Sequence, residues 1–199
     1  MEETATGGLL QSVMTRKWII FVALFVSVVL LDQVTKAWIV TNVSFRGGEI
    51  EVIPHFFKIV HAQNPGAMAG FLGGFAYRRV LFLAFTCVAI FMVVQMMAQL
   101  PNRERYQSTA LGLIAAGAIG NAIDRVHKGT VTDFIHNYTD SPSVMHAIDT
   151  MNGYLPIRIP YAWPTYNVAD ISLVVGVSLF LVHYLFLEPK AEPAEAEAA

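Results

Sequence analysis

Charge is what this chain has least of. Asp, Glu, Lys and Arg together make up 14% of its 199 residues, against roughly a quarter in soluble domains. With 55% hydrophobic residues and a mean hydropathy of +0.51, an ordinary soluble domain is excluded and one membrane-embedded domain is implied. Cysteine is almost absent. Cys87 stands alone in an apolar run, which excludes an intramolecular disulfide and a multi-cysteine metal site. The net charge is only -2 and no basic tract is present to neutralise phosphates, so no nucleic-acid partner is expected. None of the six histidines, His55, His61, His127, His136, His146 and His183, forms a His-x-x-x-His pair. No metal and no cofactor are expected.

What is present is long apolar runs. The hydropathy pattern predicts a mainly α membrane protein with four transmembrane helices, at about 18–40, 79–100, 107–125 and 167–187. Arg16 and Lys17 precede the first run as the basic region of a signal peptide would. It leads into Asp32-Gln33-Val34-Thr35-Lys36 without a small-residue cleavage pattern, so it reads as a retained helix. Trp18 and Trp38 bracket about 30 Å of that helix, the thickness of the hydrocarbon core. The third run is short and rich in Gly112, Gly117, Gly120 and alanine, small surfaces that let helices approach closely.

Two loops, 41–77 and 126–165, fall on one side of a four-span chain. Glu51-Val52-Ile53-Pro54, Phe56-Phe57-Lys58-Ile59-Val60 and Thr130-Val131-Thr132-Asp133-Phe134-Ile135 read as short strands of a small sheet at the membrane surface. Residues 141–153 read as a short surface helix. Residues 1–190 are expected to be a single membrane-embedded domain, and the Ala/Glu/Pro-rich tail 191–199 to be disordered.

The few carboxylates are the informative residues. Asp124 ends the third span and Asp170 begins the fourth, each three residues after an asparagine, Asn121 and Asn167. Charges at such positions are costly and usually functional. Four spans put both aspartates on the same membrane face, where a facing pair could share one proton and activate a water. Asp32 and Lys36, four residues apart, read as an internal ion pair, with an ion path as the alternative.

Five segments, in order, carry a resemblance: Asp32-Gln33-Val34-Thr35-Lys36, Asn64-Pro65-Gly66-Ala67, Gly120-Asn121-Ala122-Ile123-Asp124-Arg125, Val131-Thr132-Asp133-Phe134 and Asn167-Val168-Ala169-Asp170. Together they resemble the lipoprotein signal peptidase family, also called signal peptidase II. The resemblance implies an aspartic endopeptidase of the bacterial inner membrane. It would cut diacylglyceryl-modified prolipoproteins just before the modified lipobox cysteine. It also implies contact with membrane lipid, binding of globomycin-type inhibitors, both termini in the cytoplasm and an active site near the periplasmic surface. The basic residues alone leave orientation nearly balanced.

Carried onto this chain, the resemblance makes Asp124 and Asp170 the catalytic pair. Asn64, Gly66, Asn121, Arg125 and Asn167 become substrate-binding or dyad-orienting residues, with helix capping as the alternative for Asn167 and a turn for Asn64. Asp32, Lys36, Asp133 and Phe134 become supporting residues. Three departures stand out. The segment from Met68 to Phe71 differs from the family pattern, Tyr166 replaces an expected phenylalanine, and the stretch 139–161 is longer than usual.

Overall fold

The computed structural model describes residues 15–66 and 77–187. The tail 191–199 and the Met68–Phe71 departure lie outside the described residues. Four long helices form the body: α1 (Arg16–Asn42), α2 (Arg78–Gln99), α3 (Arg105–Lys128) and α5 (Val168–Val182), which continues as a π-helical turn over His183–Leu187. A shorter helix, α4 (Pro142–Asn152), lies between β3 (Val131–Asn137) and α5. The hairpin of β1 (Glu49–Ile53) and β2 (Phe57–Asn64) precedes α2.

The bundle is apolar outside and polar within, as lipid requires. α1 exposes Val22, Val26, Leu30 and Val34, and α2 exposes Val80, Phe85, Val88 and Phe91. Inside, Lys17, Asp32, Lys36, Asn121, Asp124, Asp133 and Asn167 are all buried. Among the described residues, α1, α2 and Val168–Leu187 are long and apolar enough to cross a membrane. α3 does not join them on hydropathy, although its 24 residues reach about 36 Å. The physical reason is its location. It packs against α1, α2 and α5, so its surface is built of Ala110, Gly112, Ala115, Ala116, Gly117 and Gly120 rather than bulky apolar groups.

That close packing has a measurable consequence. A Cβ on Gly117 would meet the Ala169 carbonyl oxygen and lie 2.9 Å from the Leu173 amide nitrogen on α5. Backbone cannot yield as a flexible side chain can. Gly117→Ala is expected to cost about 1–3 kcal/mol, read as a lower thermal unfolding midpoint in detergent. An unchanged midpoint would mean that α3 and α5 can separate freely.

The helix ends are specified locally. Gly129, at φ 78°, takes the left-handed position that closes α3. Lys17, buried on α1, reaches the C-terminal end of α2 and donates to the Met97 carbonyl at 2.8 Å, placing a cation where the helix dipole favours one. By sequence alone Lys17 is only a basic flank of the first apolar run.

The sheet is antiparallel in the order β1-β2-β3, with Ile59 opposite Ile135 and Asn64 opposite Val131. β2 is longer than expected, so Asn64 is its last residue and not a turn residue alone. The residues before α5 bridge back to β3 through Ile135–Tyr166 and to the residue just after it through Tyr138–Ala162. Phe134 packs with Ile39 and Val43, anchoring the sheet on the end of α1. The extended stretch is riveted internally. Asn152 accepts from the Ile159 amide at 2.6 Å and donates to its carbonyl at 3.0 Å, and the Tyr161 hydroxyl donates to Asp149.

Candidate active site

Asp170 sits in the first turn of α5. Asn167 caps that helix, its side-chain oxygen accepting from the Asp170 amide at 3.0 Å, while Asp170 Oδ2 accepts from the Asn167 amide at 3.1 Å. The other carboxylate oxygen accepts from Asn121 Nδ2 at 2.7 Å. The cap leaves the Asn167 amide group free to reach elsewhere. Its Nδ2 donates to Asp133 Oδ1 at 2.6 Å and to Asn121 Oδ1 at 3.1 Å. Asn64 Nδ2 donates to the remaining oxygen of Asp133 at 3.0 Å.

Asp124 lies in a different setting. Its Oδ1 receives Lys128 Nζ at 3.1 Å, and its Oδ2 receives the Thr132 amide at 2.8 Å with Lys36 Nζ at 3.6 Å. Lys36 also pairs with Asp32 at 2.8 Å and donates to Asn121 Oδ1 at 3.0 Å. Asp32 Oδ1 accepts from the Ala169 amide at 3.0 Å. Two lysines thus balance Asp32 and Asp124, whereas Asp133 and Asp170 receive hydrogen bonds from amides. The expected facing of Asp124 and Asp170 is therefore not what the geometry brings together. Asp170 is joined to Asp133 through the single residue Asn167, and to Asp124 through two residues, either Asn121 and Lys36 or Asn167 and Thr132.

Asp133 is also electrostatically distinct. Burial pushes its carboxyl up to about 6; hydrogen bonds from Asn64 and Asn167 oppose this, and the charge of Asp170 adds to it. It is 1% exposed. All four residues from Val131 to Phe134 are buried. The signal in the sequence is a carboxylate within a strand-like segment that is one of the five motifs. In the sequence Asp133 reads as a supporting residue, because Asp124 stands at a helix rim and Asp133 within a short strand.

Asp170 opens onto a cleft of about 800 Å³ that also touches Asn64, Gly66, Phe82, Arg125 and Val174. Gly66 has φ 84°, and a side chain there would strike the Phe82 ring. Glycine is required both by the backbone and by the space. The Arg125 guanidinium lies 4.8 Å from the centre of the Phe82 ring and in the field of Asp170, Asp133 and Asp124. It stacks there and donates to the Asn121 carbonyl at 3.4 Å. Asn64, Gly66, Arg125 and Asp170 therefore line one cavity, Asn121 and Asn167 bond to Asp170 from outside that lining, and Asp32, Lys36 and Asp124 form a buried ion network joined to Asn121.

Apolar helices wrapped around buried carboxylates beside an apolar cleft define an intramembrane hydrolase type of site. The model of the signal peptidase II family matches residues 24–186. The lipoprotein signal peptidase of Symbiobacterium thermophilum is 34% identical over 169 residues, covering 85% of this chain and 96% of that protein. That of Rhodopseudomonas palustris is 37% identical over 164 residues, covering 81% and 89%. A solved bacterial membrane enzyme, determined by the in meso method at 1.9 Å resolution, matches with a TM-score of 0.66 at 34% identity, covering 83% of this chain and 92% of its own. The chain belongs to the signal peptidase II family and is a membrane protease.

Proposed function

We propose that the chain is an aspartic endopeptidase that removes the signal peptide from diacylglyceryl-modified prolipoproteins, hydrolysing the bond before the modified lipobox cysteine. The membership and the relatives' shared name support the substrate class. We further propose Asp133 and Asp170 as the water-activating pair, in place of Asp124 and Asp170. The observation that carries this is the Asn167 bridge between two carboxylates that, among the described residues, have no direct lysine partner.

The chemistry follows from that arrangement. In this arrangement the two carboxyls hold one proton between them, and Asp133, whose carboxyl burial pushes up, is the better holder. Ionised Asp170, open to the cleft, takes a proton from water as the oxygen attacks the scissile carbonyl. Asp133 donates to the carbonyl oxygen, giving a neutral tetrahedral intermediate. Its collapse returns a proton to the departing amine and resets the pair. Asn64 covers Asp133 and must yield for a water to bridge the two groups. The apolar wall of Ile171, Val174 and Val175 suits the signal helix and acyl chains. Arg125 and Asn64 are placed to hold substrate carbonyls, and globomycin-type inhibitors would occupy the same cleft. Asp124 serves with Asp32, Lys36 and Lys128 to hold α1, α3 and β3 together.

In this reading residues 1–190 form one domain, with α1, α2, α3 and α5 as its four spans. Both termini are cytoplasmic, and the cleft opens at the outer face of the inner membrane. Mass spectrometry of the product from purified enzyme and diacylglyceryl-modified prolipoprotein tests the activity. A cut immediately before the modified cysteine is expected. Equal cutting of unmodified substrate would overturn the substrate assignment.

The raised Asp133 sets a pH dependence. An elevated carboxyl keeps its proton below about 6 and loses it above. The singly protonated pair is then lost as pH rises, so kcat/KM for the free enzyme should fall with a midpoint near 6. Substrate excludes water and should move the corresponding limb of kcat to higher pH. The same sign applies to stability. Because the folded value lies above the ordinary one of about 3.9, ionising Asp133 weakens the fold as pH rises from about 4 to 6. A kcat/KM profile flat from pH 5 to about 8 would argue against Asp133.

A further inference from the structure

A second cavity, of about 480 Å³, lies outside the bundle between α4, the β1–β2 turn and the end of β3. Its walls are Phe56, Tyr138, Tyr161 and Trp163, closed on the far side by Val144 and Ile148 of α4. No residue of the four long helices lines it. It exists because of the extended stretch after β3, which supplies α4, Tyr161 and Trp163. The Trp163 amide donates to the Asn137 carbonyl at 2.8 Å. Asn137 in turn accepts from the Tyr166 hydroxyl at 2.6 Å through its side chain. Asn137 and Trp163 also line the catalytic cleft, so the two cavities share a wall.

We infer that this second cavity is a downstream subsite, taking an apolar or aromatic side chain of the mature lipoprotein a few residues beyond the cleaved bond. The inference rests on the proposed function and deepens it. The cleft descends along Ile171, Val174 and Val175 of an apolar helix, the course for lipid and signal peptide. The other side of Trp163 is formed wholly by elements outside the bundle, where only the water-side part of the substrate can run. Four aromatic rings and two aliphatic side chains offer an apolar side chain a place out of water. The volume falls within the range of small-ligand sites, roughly 300–1,000 Å³. Backbone groups at its edge are already paired, Tyr138 with Phe56 and Thr139 with Tyr161, which leaves side-chain burial as the means of recognition. The site would thus make cleavage sensitive to the mature sequence, and not only to the signal peptide and lipid.

The test compares two diacylglyceryl-modified substrates that are identical through the modified cysteine. One continues with Phe and Leu, the other with Ser and Gly. α4 buries none of its residues completely, so Ile148→Glu leaves the bundle intact. It should raise KM for the apolar substrate about tenfold, with kcat unchanged, and leave the Ser/Gly substrate unaffected; burying one such side chain has that scale of effect. A KM change equal for both substrates, or absent for both, overturns the subsite. A second readout separates this from failure of the activity itself. In the Asp170→Asn variant, a benzophenone placed at the downstream Phe should cross-link within residues 137–163. Attachment elsewhere overturns the subsite. If wild-type protein cleaves neither substrate, the proposed function fails and the cross-link alone decides the subsite.

Discussion

Asp133→Asn and Asp170→Asn should each lower kcat/KM for the modified prolipoprotein by about a thousandfold, within the usual span for removing an acid–base group. Both variants should still fold. At position 170 the amide oxygen can accept one of the two bonds now made by Asn121 and the Asn167 amide. At position 133 one of the donors, Asn64 or Asn167, keeps an acceptor. The effect should fall on kcat, because the lost group acts on the reacting water and not on substrate affinity. Asp124→Asn provides the contrast. Its loss leaves Lys36 and Lys128 short of an acceptor, so thermal stability should drop while well-folded enzyme keeps measurable turnover. Single-turnover rates for the three variants, each paired with an unfolding midpoint, decide the matter. A dead but fully stable Asp124→Asn beside an active Asp133→Asn would restore Asp124 as the partner of Asp170.

Replacing Lys36 should produce the largest loss of stability. Its ammonium is 1% exposed and serves Asp32, Asp124 and Asn121 together. Among the described residues, Lys36→Met leaves buried Asp32 with the Ala169 amide and Gln33 as partners. Removing one member of a buried pair costs about 3–5 kcal/mol, because the other charge is stranded. Neutralising that charge as well, in Asp32→Asn with Lys36→Met, should recover part of the loss, a coupling that a double-mutant cycle measures directly. Activity should decline along with stability, since the Lys36 bond to Asn121 orients the amide that holds Asp170. Thermal unfolding in detergent gives the readout. Equal midpoints for Lys36→Met and wild type would remove the network from any structural role.

Much of the bundle was legible locally. The apolar runs placed α1, α2 and α5 within a few residues, and the glycines of α3 announced a helix pressed between others. The surface helix and three strands followed from turn residues and alternation, although β2 runs on to Asn64 because its partner Val131 extends the ladder. Residues of the site were also legible as a set, since Asn64, Asn121, Arg125, Asp133, Asn167 and Asp170 all lie in the five motifs. Their partnership was not. Asn167 could be a cap or a ligand of a carboxylate from its sequence alone. In three dimensions its oxygen caps α5 while its amide nitrogen holds Asp133.

The sequence by itself determined that this chain lives in a membrane, which segments are helical, and which few polar residues are carried into the interior. Hydropathy and helix-end chemistry are properties of neighbouring residues, so they survive without a fold. The four-residue spacing already paired Asp32 with Lys36; only the tertiary structure decided that Lys36 also reaches Asp124, that Asp133 and Asp170 meet amides, and that the extended stretch encloses a cavity against the cleft. Those outcomes depend on groups far apart in the chain, such as Asp32 and the Ala169 amide, 137 positions away. Ionisation of a buried group is governed by whatever surrounds it within a few ångströms, and no local pattern encodes that neighbourhood.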